Sequence, residues 1–204
     1  AIPMGMLAAY KRGTAVDLAT VSISLLGTAI PGFLLSMFFM LFFGVHLQWL
    51  PVAGYEPLSR GLWEHLRYLI LPALSLGVVQ AAYITRMTRS ALLDVLYKNY
   101  IRTARAKGLR ESAVLFGQAL KNAAPTILTV VGQSFGSLVT GTIVTETIFN
   151  IPGLGMLTMS SINQRDVFVI QGVVLFVTVI YVLVNLAVDI LYGLVDPRLQ
   201  LGRQ

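Results

Sequence analysis

Residues 97–124 read YKNYIRTARAKGLRESAVLFGQALKNAA, a basic stretch set between two apolar runs each long enough to cross a bilayer. A chain built to cross lipid interrupts itself for so long only if the interruption acts outside the lipid. The stretch holds two helical patterns that meet at Gly108. In the first, Ile101 and Ala104 share a face, and Lys98, Arg102 and Arg105 lie elsewhere around the helix. Gly108 suits a helix C-cap, where a left-handed backbone angle is needed. Arg105 and Lys107 fall in the last turn, at the negative end of the helix dipole. In the second pattern Ala113, Phe116, Leu120 and Ala123 form the expected apolar stripe, with Glu111 in the first turn. Pro125 marks the expected entry to the next span. The residues alone leave two readings level. One is a basic amphipathic hairpin on anionic headgroups. The other is a docking element for a soluble partner, which the small residues Ala104, Ala106 and Gly108 favour by permitting close backbone approach.

Outward from this stretch, the composition sets the class. The chain has 204 residues, 56% hydrophobic and 12% charged, and a mean hydropathy of +0.76. Soluble domains carry about 25% charged residues, so the chain reads as an all-α polytopic membrane protein. There is no cysteine, which removes disulfides and thiolate metal sites. Four full spans are expected, at roughly 18–47, 68–93, 126–149 and 167–192. The first contains Pro31-Gly32 and is longer than a bilayer needs, which predicts tilt, a kink at Pro31 or an end outside the lipid. The opening AIPMGMLA is too short to span and reads as the end of a further helix. Trp49, Tyr55, Trp63 and Tyr68 suit a membrane–water interface. The segment NIPGLGMLTMSSINQRD, at 150–166, predicts a short interfacial helix.

The basic residues orient the spans. One side holds Lys11, Arg12, Arg86, Arg89, Lys98, Arg102, Arg105, Lys107, Arg110, Lys121, Arg198 and Arg203. The other holds Arg60, Arg67 and Arg165. The asymmetry predicts that the first side, with the C-terminus, is cytoplasmic. It also accounts for the net charge of +6 without nucleic acid.

The wording of the basic stretch resembles the cytoplasmic EAA loop of ABC importer permeases, in the version of the dipeptide/oligopeptide/nickel group: RMTRSALLDVLYKNYIRTARAKGL at 86–109. Further segments are similar to the same group, in order: LAAYKRGTAVD at 7–17, LQWLPVAG at 47–54, ETIFNIPGLGML at 146–157, RDVFVIQGVVL at 165–175 and VNLAVDILYGLVDPRL at 184–199. The general EAA pattern has Glu-Ala-Ala ahead of the glycine. Here Arg102-Thr103-Ala104 stand there, a basic residue in the acidic position, as the peptide-type branch commonly has it. The family also has an N-terminal span and an external region ahead of the helix that ends near Ala8, so the resemblance implies one permease domain over 1–204, lacking its N-terminal part, with the coupling loop at 97–124.

The resemblance implies the ABC importer type I transmembrane fold and no covalent chemistry or cofactor in this chain. It implies a multi-pass subunit of a bacterial or archaeal cytoplasmic membrane, paired with a second homologous permease. Two cytoplasmic ATP-binding subunits dock beneath and hydrolyse ATP, and an external substrate-binding protein delivers peptides. The ATPase contact then maps to Arg102, Thr103, Ala104, Arg105, Ala106, Lys107, Gly108, Leu109, Arg110 and Glu111.

Other residues carry separate expectations. Gln133, Ser134, Ser137, Thr140, Thr142 and Thr145 give the third span a polar stripe that reads as pathway lining or helix packing, and Gly132, Gly136 and Gly141 favour close packing. Glu146, at the outer end of that span, reads either as a cap for the short helix or as a gate contact. Asp189 is expected to pair with Arg86 or Arg89, or to snorkel. His46 and His65 lack neighbours at metal-ligand spacing. No nucleophile–base pair or phosphate loop is present, which argues against catalysis. The competing functions are a self-contained secondary transporter or channel, which would want a midplane ion site, and a structural membrane anchor. Dipeptides, longer peptides and nickel chelates all remain open as substrates.

Overall fold

The computed structural model describes residues 1–195, without the side chains of 139–141 and 194–195. The described residues contain helices and no strand. In order they are α1 (Ile2–Tyr10), α2 (Ala15–Ala29), α3 (Gly32–Phe39) with a π-helical extension (Met40–His46), a 3-10 turn (Leu58–Arg60), α4 (Leu62–Leu96), α5 (Asn99–Ala106), α6 (Glu111–Ala113), a π-helical turn (Val114–Ala119), α7 (Leu120–Phe149), α8 (Leu154–Gln164) and α9 (Val167–Val195). The short helix expected within 150–166 is α8.

Among the described residues three helices are long and apolar enough to cross a membrane: Leu62–Leu96, Glu111–Leu138 and Val167–Gly193. The first expected span, 18–47, is the pair Ala15–Ala29 and Gly32–His46, bent by 98° at a short break. Pro31 lacks an amide hydrogen and disfavours the α region at Ile30, and the helix breaks there, α2 ending at Ala29 and α3 starting at Gly32. The bend exceeds the kink that the sequence suggests. α4 has 35 residues, about 52 Å of helix, more than the ~30 Å hydrocarbon core.

Pro125 lies inside α7, which follows α6 and the π turn directly, so the loop runs into the next span as continuous helix. One expectation fails at the second half of the basic stretch: the apolar stripe is displaced. Phe116 is 61% exposed, and the buried residues are Val114, Leu115, Ala119 and Ala123. The π turn widens the helix by an extra residue and rotates the faces relative to a 3.6-residue period.

By contact density the chain forms two units. The first comprises Ala1–Gly27, Ala81–Ser134 and Leu183–Gln204. Its core is Met6, Ala9, Ala91, Leu92, Leu115, Ala119, Ala123 and Ile127. α1 packs there at close range, since a Cβ on Gly5 would lie 2.6 Å from the Thr85 carbonyl oxygen. A Cβ on Gly132 would lie 2.9 Å from the Val188 side chain, and the hydroxyls of Thr129 and Tyr192 hydrogen-bond. The second unit comprises Thr28–Gln80 and Phe135–Val182. There a Cβ on Gly136 would lie 2.6 Å from the Tyr181 ring, so close packing is the role of this glycine. Gly54 N–H donates to the Phe149 carbonyl at 2.7 Å, holding the 47–57 loop.

The two units divide the basic residues by the same partition as the charge asymmetry. Arg60, Arg67 and Arg165 all lie in the second unit, and the other described arginines and lysines lie in the first. Arg198 and Arg203 fall outside the described residues.

Candidate functional site

The basic loop is a turn fastened from within and open outside. α5 is held by one side chain, Ile101, which is fully buried and contributes about 1.5–3 kcal/mol by leaving water. α5 ends at Lys107, and Gly108 follows with φ +80°, the left-handed angle that its sequence position predicts. Gly108 N–H donates to the Arg105 carbonyl at 2.9 Å. Arg110 then takes an extended backbone and α6 begins at Glu111.

An ion pair closes this turn that sequence reasoning missed. Arg105 Nε donates to Glu111 Oε1 at 2.8 Å and its Nη2 to Oε2 at 3.2 Å. Both side chains are about two-fifths exposed, so the pair fixes geometry more than it adds stability, at most about 1 kcal/mol. The only signal in the sequence is opposite charges flanking a glycine. On the inner side the Arg12 guanidinium lies 4.9 Å from the centre of the Tyr97 ring. A cavity of about 170 Å³ lies between this contact and the Arg105–Glu111 pair.

Every residue from Arg102 to Glu111 is exposed apart from Ala104, which is half-buried. Arg102, Thr103, Ala106, Lys107, Leu109 and Arg110 therefore present side chains outward around a rigid turn. A Cβ on Gly108 would meet nothing within 4 Å.

In the same unit, Asp17 in α2 accepts Arg89 Nε at 2.6 Å and Arg89 Nη2 at 2.8 Å. Gly13 N–H adds a third bond to the carboxylate at 3.0 Å. This corrects the expected Asp189 partnership, because Arg89 is taken by Asp17. Among the described residues Asp189 has no ion-pair partner. The two carboxylate oxygens of Asp17 accept from Nε and Nη2 along one edge of the guanidinium, a bidentate pair.

The polar residues of α7 do not form one face. Ser134 and Thr145 are buried, whereas Gln133 and Ser137 are exposed. Ser134 Oγ donates to the Val130 carbonyl at 2.8 Å, which spends its hydroxyl inside its own helix. Ser137 Oγ instead accepts Gln80 Nε2 of α4 at 2.7 Å. Gln80 had no place among the sequence candidates. The Thr140 side chain lies outside those described.

Glu146 caps α8. Its Oε2 accepts the Met156 N–H at 2.9 Å, an acid at the positive end of a helix. The adjoining glycines leave it room, since a Cβ on Gly155 would come within 2.8 Å of Oε2 and 2.5 Å of the Ile143 backbone. His65 Nδ1–H donates to the Glu56 carbonyl at 2.7 Å, and His46 stacks on Phe42.

The chain is similar along nearly its whole length to curated transport proteins. It is 43% identical over 199 residues to the probable peptide ABC transporter permease protein y4tP of Sinorhizobium fredii, covering 98% of this chain and 64% of that protein. It is 45% identical to a putative peptide transport system permease protein of Brucella suis, covering 97% and 63%. It is 40% identical to the dipeptide transport system permease protein DppB of Escherichia coli, covering 98% and 66%. The chain thus spans about two-thirds of the length of these relatives. The family model for the inner membrane component of binding-protein-dependent transport systems matches residues 1–201. With its membrane-length helices and its exposed basic turn, the chain belongs to that family of binding-protein-dependent transport system inner membrane components.

Proposed function

We propose that this chain is the pathway-forming part of a permease subunit in an ATP-driven peptide importer. It takes its energy from separate cytoplasmic ATPase subunits through residues 102–111. The observation that carries the coupling role is the outward-facing turn around Gly108, anchored by Ile101 and braced by Arg105–Glu111. Such a turn can accept force from a partner and pass it into the buried core, because α5 packs on the π-helical turn, whose Leu115 and Ala119 belong to that core. Exposed cations and Leu109 suit a protein surface better than a hydrocarbon one. The positive-inside asymmetry supports a cytoplasmic location for this turn and for the C-terminus. ATP hydrolysis belongs to the partners.

The peptide substrate rests on the names of relatives such as y4tP and DppB. The wider assembly comprises a second permease, two ATPases, an external binding protein and surrounding lipid. In this assembly Gln133, Ser134, Ser137 and Thr140 belong to the helix nearest the pathway, and Glu146 holds the outer end of that helix to α8.

Uptake by the full-length subunit with its partners in proteoliposomes tests this reading. Peptide uptake is expected to require ATP and to survive a protonophore. Uptake that proceeds without ATP and collapses with the proton gradient would overturn it in favour of a secondary transporter.

A further inference from the structure

The cavity of about 170 Å³ beside the basic turn has an arginine on each side. Arg12 rests on the Tyr97 ring, 4.9 Å from its centre. Its charge reaches Asp17 through space, but both oxygens of Asp17 are held by Arg89 and the Gly13 N–H. Among the described residues Arg12 therefore has no carboxylate of its own. Arg105 spends Nε and Nη2 on Glu111, which leaves its Nη1 without a partner among the described residues. Glu111 has both oxygens on Arg105, so two cations and one anion leave the cavity with a net charge of +1. Leu93 and Leu96, in the last turn of α4, also line it. That helix is about 52 Å long and overruns the ~30 Å hydrocarbon core, so its end reaches headgroup depth. The neighbouring Tyr10, Lys11, Tyr97 and Lys98 are exposed, and amphipathic rings and basic residues are what a membrane–water interface collects.

We propose that this cavity binds the phosphate of an anionic phospholipid headgroup, seated between Arg12 and Arg105 Nη1. A guanidinium presents a planar fork that matches two phosphate oxygens, and the fork of Arg12 is spent on no carboxylate. One phosphodiester carries the single negative charge that balances the cavity. Leu93 and Leu96 give its ester carbons an apolar wall. Phosphate lines both leaflets, so the site does not depend on the orientation of the spans. A bound headgroup ties the loop at 11–14 to the turn at 102–111. Free phosphate offers the same oxyanion without ester carbons, and an acidic side chain of a partner protein is the other rival. The apolar wall and the interfacial surroundings favour the lipid.

The full-length subunit in its complete transporter is purified in detergent and titrated with dioleoylphosphatidylglycerol or dioleoylphosphatidylcholine, and the tightest bound lipid is followed by native mass spectrometry. The parent is expected to hold phosphatidylglycerol more tightly than phosphatidylcholine. Arg12→Gln is expected to raise the Kd for phosphatidylglycerol about tenfold, the loss of one charged hydrogen-bonding group. Lys11→Gln removes the same charge from a neighbour that does not line the cavity, and less than about a twofold change is expected. Because Arg12 also acts on Asp17, Tyr97→Leu is the second variant; it unseats Arg12 and is expected to weaken the lipid about two- to fivefold. Equal weakening by Arg12→Gln and Lys11→Gln would show diffuse surface attraction and overturn the site. Unchanged affinity in both Arg12→Gln and Tyr97→Leu would overturn it as well. Displacement of the lipid by millimolar inorganic phosphate would make a free oxyanion the occupant. Loss of a copurifying ATP-binding subunit from Arg12→Gln, with phosphatidylglycerol affinity kept, would make the occupant a protein side chain. Either result overturns the lipid assignment.

Discussion

Replacing Gly108 separates two roles that this residue combines, shaping a turn and leaving a surface clear. Its φ of +80° is costly for any residue with a Cβ, by about 1–2 kcal/mol for L-residues in the left-handed region. That cost lowers the population of the turn by a factor of about 5–30. Asn tolerates the region better than other side chains. Sterically the site is open, because a Cβ meets nothing within 4 Å on this chain. Backbone strain therefore ranks the variants as Asn mildest, with Ala and Trp similar to each other. Occlusion by a docked partner ranks them by size, with Asn and Ala mild and Trp severe. The assay is ATP hydrolysis and peptide uptake by the full transporter in proteoliposomes, with the amount of subunit in the membrane as control. Gly108→Trp is expected to lose uptake at normal membrane abundance, beyond the loss in Gly108→Ala. If Trp and Ala fall equally, the turn matters and the clear surface does not. If Gly108→Trp keeps normal uptake, the reasoning that a partner covers this turn is wrong.

Other perturbations follow from the packing. Asp17→Asn leaves Arg89 without its carboxylate and is expected to cost roughly 2–4 kcal/mol, read as a lowered Tm in detergent, with Asp189→Asn leaving the Tm unchanged; an unchanged Tm in Asp17→Asn would refute the pair's structural role. Gly136→Val drives a side chain into the Tyr181 ring, and an overpacking cost of about 1–3 kcal/mol is expected, partly relieved by Tyr181→Ala; no relief in the double variant would show that the two do not share a contact. Glu146→Ala removes the cap of α8 at about 1 kcal/mol, and faster amide exchange at Met156 than in the parent checks it.

Much of this structure is legible in the sequence where a single local cause decides. Pro31 marks a break between helices and Gly108 a helix end, each where its residue type suggests one. Apolar length alone announces α4 and α9. The misses have a different origin. The register after Gly108 depends on the π turn at Val114–Ala119, which no hydrophobic period reveals. Asp17 and Arg89 lie 72 residues apart, and only the fold makes them neighbours, since nothing in the spacing separates Asp17 from Asp189 as the partner. Gln80 is a single amide in an apolar run, and its meaning comes from Ser137 on another helix. The polar positions of α7 point in several directions for the same reason, since composition records polarity and not azimuth.

The most direct test of the central claim is cross-linking from the turn itself. Leu109 is 45% exposed and follows Gly108 in the exposed turn. In a cysteine-free full-length subunit assembled with its partners, Leu109→Cys bearing a short photoactivatable cross-linker is expected to capture an ATP-binding subunit, with a yield that changes when ATP is added. Capture of lipid alone from Leu109, or of an ATPase from exposed Gln48→Cys and not from Leu109→Cys, would contradict the account.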